Sequence, residues 1–131
     1  MNEATIATLM AVTLFITVGI LAWNLLPERV YLKEGFIQKK YRGKSEGIKL
    51  SELKEILYSY HAVVGFIGVW EFYDINGKEL TVDSQALGVK SLLSALEQQL
   101  NNFSLQTFQQ EFEAGDVEDT IHVWKNKNKE H

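Results

Sequence analysis

The sequence predicts an α+β fold carried behind one membrane-spanning helix, and three observations point there. Residues 5–26 contain no charge, the middle of the chain alternates apolar and polar residues between turn formers, and from Val89 the apolar residues switch to helical spacing. The boundaries that follow are a short tail over 1–4, a span over 5–27, a domain over 28–124 with an extension from about 104, and a polar tail over 125–131.

The span reads TIATLMAVTLFITVGILAWNLL, 22 residues. As a helix it covers about 33 Å at roughly 1.5 Å per residue, enough for a hydrocarbon core of about 30 Å. Asn24, its only strongly polar member, lies at the far end beside Trp23, whose ring suits the membrane interface. Pro27 closes the helix, because residues before proline are pushed out of helical geometry. A cleaved secretory signal would need a basic n-region and a small-x-small site. Met1-Asn2-Glu3-Ala4 has no Lys or Arg, and Ala22 to Pro27 has no Ala-x-Ala. A core helix of a soluble domain would show a polar face over this length. Ala7 with Ala11, and Thr13 with Thr17, form small-x-x-x-small pairs that permit close helix packing.

Orientation follows from basic residues near the span. None precede it, whereas Arg29, Lys33, Lys39, Lys40, Arg42 and Lys44 follow it. The expectation is a single-pass protein of a bacterial inner membrane with its C-terminal domain in the cytoplasm. Charge is segregated along the domain. Residues 29–54 carry eight Lys or Arg against three Glu, while residues 71–119 carry ten acids against Lys78 and Lys90. The basic half adjoins the membrane, where cations are attracted to anionic headgroups. A net charge of −4 disfavours nucleic acid as a partner. The chain has no cysteine, which excludes disulfides, thiol nucleophiles and cysteine metal sites.

Val30 to Lys33 reads as a strand start and Glu34-Gly35 as a turn. Phe36 to Tyr41 alternates, with Phe36 and Gln38 on one face and Ile37 and Lys39 on the other. Arg42 to Gly47 is rich in turn formers and reads as a hairpin loop, followed by a short strand over Ile48 to Leu50. Ser51 caps a one-turn bend, and the branched and aromatic content of Ile56 to Tyr60 favours strand. Val63 to Ile75 is the most strand-like run, with Phe66, Gly68, Trp70 and Phe72 sharing a face. Asn76-Gly77 then predicts a two-residue type I′ turn into a return strand over Lys78 to Asp83. Val89, Leu92, Leu93, Leu96, Leu100 and Phe103 mark one face of an amphipathic helix over Gly88 to Asn101. Ser104 caps a second helical pattern through Leu105, Phe108 and Phe112, ended by Gly115-Asp116, and Thr120 to Trp124 reads as a last strand.

The opening Tyr31-Leu32-Lys33-Glu34-Gly35-Phe36-Ile37, the segment Ile48 to Leu53, the hairpin from Trp70 to Leu80 and the Leu-rich helix after it carry a resemblance. Their order resembles the pleckstrin-homology-like (PH-like) domains of small bacterial single-pass membrane proteins, over residues 30–103. The resemblance implies a small antiparallel β-barrel or sheet closed by an amphipathic helix, binding lipid headgroups or peptides and rarely catalytic. The aromatic-rich stretch after Phe103 departs from that outline.

Chemistry-bearing clusters are sparse. None of His61, His122 and His131 has a second histidine at helical spacing, and the acidic run from Glu111 to Asp119 does not fit a twelve-residue calcium loop. No phosphate loop or nucleophile elbow occurs, so an enzyme, a metal and a cofactor are not expected. Two surfaces remain. Lys39, Lys40, Arg42 and Lys44 can contact anionic lipid or an acidic partner, or serve only as topology-setting flank charge. Glu111, Glu113, Asp116, Glu118 and Asp119, with Phe108, Phe112 and Trp124 nearby, can face a basic protein, or be solvated acids around core aromatics. The expected function is a membrane-tethered adaptor that recognises a protein or lipid at the membrane surface. The alternatives are an immunity protein against a membrane- or envelope-acting toxin and an accessory subunit of a membrane complex.

Overall fold

The computed structural model describes residues 2–61, 67–115 and 118–127, with the side chains at 24, 25, 61, 67, 118 and 119 left aside. Helix α1 (Glu3–Leu25) opens on Asn2, whose Oδ1 accepts the Thr5 amide at 2.8 Å. It is long and apolar enough to cross a membrane, and none of its most apolar window is buried against the domain. Thr13 and Thr17 donate their hydroxyls to the carbonyls of Leu9 and Thr13, both at 2.8 Å, so neither presents an unbonded proton to an apolar surrounding.

Two antiparallel sheets follow. Strands β1 (Arg29–Lys33), β2 (Phe36–Tyr41) and β3 (Lys44–Lys49) form the first, in that order. Strands β4 (Leu53–His61), β5 (Ile67–Asp74), β6 (Glu79–Asp83) and β7 (Glu118–Lys125) form the second, in the order β6-β5-β4-β7. The described strands therefore make two sheets and not one closed barrel. Residues 63–66, including Phe66 of the expected strand face, lie outside the described residues, but Gly68, Trp70 and Phe72 share the buried face as alternation requires. The run from Ile56 to Tyr60 is strand, as its composition favours.

Two turns differ from expectation. The loop expected over Arg42 to Gly47 contracts to Arg42-Gly43, because Tyr41 pairs with Lys44 and β3 begins there. Both turn residues have positive φ, 52° and 78°, the requirement of a type I′ connection. Arg-Gly lacks the Asn-Gly or Asp-Gly signal, which is why the sequence does not announce it. Conversely, Asn76-Gly77 is not a two-residue turn. Tyr73 pairs with Glu79, and of the linking residues only Gly77 has positive φ, 82°. The reason is Asp74: its buried Oδ1 accepts the amides of Asn76 at 2.9 Å and Lys78 at 2.8 Å, stabilising a longer loop.

Helix α2 (Val89–Gln99) buries Val89, Leu92, Leu93 and Leu96, and is shorter than its apolar spacing suggests, since Leu100 already has extended backbone. Its N-cap, Gly88, has φ of 87° and lies so close to β1 that a β-carbon there would overlap the Val30 carbonyl. Helix α3 (Leu105–Ala114) starts at Ser104, whose Oγ accepts the Thr107 amide at 3.2 Å. Phe108 and Phe112 lay their rings on the second sheet, 4.9 Å from Trp70 and Tyr60 respectively. The stretch after Phe103 thus supplies α3 and then β7, which pairs with β4 on the side away from β5. Ile37, Ile48, Leu53, Ile56, Phe72, Leu80 and Leu96 are fully buried, so both sheets and α2 share one core.

Candidate functional site

The junction between α1 and the domain is the most distinctive region of the surface. After α1 and Pro27 the chain is fixed at once. The Glu28 carbonyl accepts the Leu87 amide at 2.7 Å, and the Val30 amide donates to the Leu87 carbonyl at 2.9 Å. The Glu28 carboxylate accepts the Asp83 amide at 2.9 Å and lies 3.6 Å from Lys39 Nζ. Lys39 in turn donates to the Thr81 carbonyl at 2.6 Å and faces Glu46 at 3.9 Å. Glu28 and Lys39 therefore tie the first sheet to β6, and with the Leu87 bonds they make the exit from the helix part of the folded domain.

The β2–β3 turn folds back beside the end of α1. A methyl placed on Gly43 would touch the Trp23 ring at 3.9 Å. Between them opens a cavity of about 550 Å³, lined among others by Trp23, Leu26, Arg29, Lys40, Arg42 and Lys44, with no acidic residue among the described residues of its lining. The Arg42 guanidinium lies 4.8 Å over the Tyr41 ring, and Lys40 Nζ is 5.8 Å from the Tyr31 centroid. Such contacts are worth about 0.5–1 kcal/mol at exposed sites and orient the cations. Arg29 sits directly opposite Lys40 across the β1–β2 pair. A like-charge pair in that position is unfavourable, on the scale of about 0.2–1 kcal/mol for cross-strand pairs.

Of the four cations grouped from the sequence, Lys40, Arg42 and Lys44 line this cavity and Lys39 does not. Strand alternation turns Lys39 to the face of Ile37 and into its ties with Glu28 and Thr81. Arg29 takes its place, and the signal for it is long-range: its β1 position opposite Lys40.

The acidic residues grouped from the sequence fall on two elements, in part outside the described residues. Glu111 and Glu113 are exposed on α3, where Gln109 donates to Glu113 at 3.1 Å. Glu118 and Asp119 fall in β7 without described side chains, and Asp116 lies outside the described residues. The nearby aromatics are packed inward: Trp124 is buried and donates its Nε1 proton to the Asn101 carbonyl at 2.8 Å. On the second sheet's other face, the Tyr73 hydroxyl donates to Glu71 at 2.8 Å and contacts Glu79 at 3.2 Å. Burial first, then the bond to Glu71, push this phenol well above its ordinary value. His122 is exposed and pairs with Glu55 at 3.0 Å. Among the described residues no group of His, Asp or Glu could hold a metal ion. No protein-family model matches the chain, and no curated protein or solved structure shows significant similarity to it.

Proposed function

We propose that this chain is a non-enzymatic binding module anchored in a bacterial inner membrane by α1, its domain held at the cytoplasmic surface to recognise a protein or lipid there. One observation carries the reading: an exposed apolar helix of membrane-spanning length passes, within three residues, into a clamped domain whose cations cluster around the helix end. A flexible linker would let the domain tumble. The bonds between Leu87 and Glu28 and Val30 instead fix the chain to the domain three residues after α1 ends. The cation excess after α1 supports the cytoplasmic side. The α+β part is read as PH-like, which two antiparallel sheets with helices packed on them support, and which the late strand β7 modifies.

The test is topology. Reporters active only inside or only outside the cytoplasm are fused to the C-terminus, and the membrane fraction is extracted with alkaline carbonate. Cytoplasmic activity with carbonate resistance is expected. Release by carbonate would overturn the anchor. Activity outside would overturn the orientation and shift the leading role to neutralising an envelope-acting toxin or serving an envelope complex.

A further inference from the structure

We infer that the cavity at the foot of α1 binds the phosphate of a net anionic phospholipid headgroup, an inference that rests on the anchored reading above. The turn Arg42-Gly43 lies against the ring of Trp23, a residue of the span. When α1 crosses a bilayer, Trp23 occupies the interfacial level, and the turn is then among the headgroup phosphates. Four cations, Arg29, Lys40, Arg42 and Lys44, line the cavity with no carboxylate among the described residues of the lining. The acids nearest in sequence, Glu28 and Glu46, are turned toward Lys39 instead. Arg29 and Lys40 face each other across two strands, an arrangement a bound anion would relieve.

The rings of Tyr31 and Tyr41 hold Lys40 and Arg42 in place before any ligand arrives. Free phosphate shares the chemistry of the headgroup. The wall formed by Trp23 and Leu26 favours the lipid, because it gives the glycerol and first acyl carbons an apolar path toward the membrane. Since the span itself contributes Trp23 and Leu26, the site belongs to the anchored chain and not to the domain alone.

Trp23 reports on the site, while Trp70 and Trp124 are 3% and 8% exposed within the domain. The full chain is placed in phosphatidylcholine nanodiscs doped with bromo-acyl phosphatidylglycerol or, in a matched set, bromo-acyl phosphatidylcholine. Quenching is read against a Trp23→Phe variant. Brominated phosphatidylglycerol is expected to quench about threefold more per mole. Arg42→Gln with Lys44→Gln should abolish that excess, and the charge-matched pair Lys78→Gln with Lys90→Gln should keep it. Equal quenching by the two lipids in the unaltered chain would overturn the site and leave the anchor standing. Absence of quenching by either would overturn the anchor and the site together. Loss of the excess in the charge-matched pair would overturn the site in favour of general surface charge. Abolition of the excess by inorganic phosphate, but not by chloride at equal ionic strength, would overturn the lipid as the source.

Discussion

Replacing Gly88 with alanine tests how α2 is fastened to β1. Gly88 has φ of 87° and its β-position meets the Val30 carbonyl oxygen, a backbone atom in β1 that cannot rotate aside. Gly77 has nearly the same φ, 82°, with nothing within 4 Å of its β-position. Gly77→Ala therefore measures the left-handed conformation alone. That costs about 1–2 kcal/mol, offset by about 0.4–1 kcal/mol from the stiffer unfolded chain. Gly88→Ala adds the overlap, and overpacking typically costs about 1–3 kcal/mol more. At about 4–8 °C per kcal/mol for a domain of this size, Gly88→Ala should melt at least about 4 °C below Gly77→Ala. Thermal unfolding of both full-length variants in the same detergent, followed by circular dichroism, reads the difference. Equal melting temperatures would refute the claim that the close approach of α2 to β1, and not turn geometry, makes Gly88 necessary.

The alternation argument predicts that Lys39→Met, which strands the half-buried Glu28, destabilises by about 1–3 kcal/mol in urea unfolding. Lys40→Met, at the cavity rim, should change stability by less than about 0.5 kcal/mol. Asp74→Ala removes the acceptor of two amides and should cost about 1–3 kcal/mol, with Asp74→Asn restoring part of it through its amide oxygen, checked in the same unfolding assay. Truncating Phe108 to alanine should lose about 3–5 kcal/mol at most, less for its partial exposure, and expose the Trp70 ring to aqueous quenchers. The Tyr73 phenol is held above the ordinary value of 10.0 in the folded state. Its contribution to stability is thus fully present below about pH 10 and falls as pH rises beyond it, because the unfolded phenol ionises first. Alkaline unfolding should accordingly be less steep in Tyr73→Phe.

Local features were legible because their causes are local. An uncharged run long enough for a bilayer is a property of residues 5–26 alone, and α1 covers all of them but Leu26. The apolar spacing from Val89 to Leu96 likewise marks the buried side of α2, and Ser104 caps α3 as its side chain permits. Even the alternation that separates Lys39 from Lys40 can be read directly, since strands reverse faces at each residue. What no window of sequence contains is which strand lies opposite which. Pairing with β1 sets Arg29 against Lys40, and the partition of the seven described strands into two sheets follows from the same kind of distant contact. So does the insertion of β7 beside β4, far from it in the chain. The sequence by itself determined that there is a helix long and apolar enough to cross a membrane, a basic flank and an α+β domain. Only the tertiary structure decided that the flank becomes a cavity: hydrogen bonds from Leu87 and Asp83 clamp the helix exit, and the folded chain lines one cavity with four cations and Trp23.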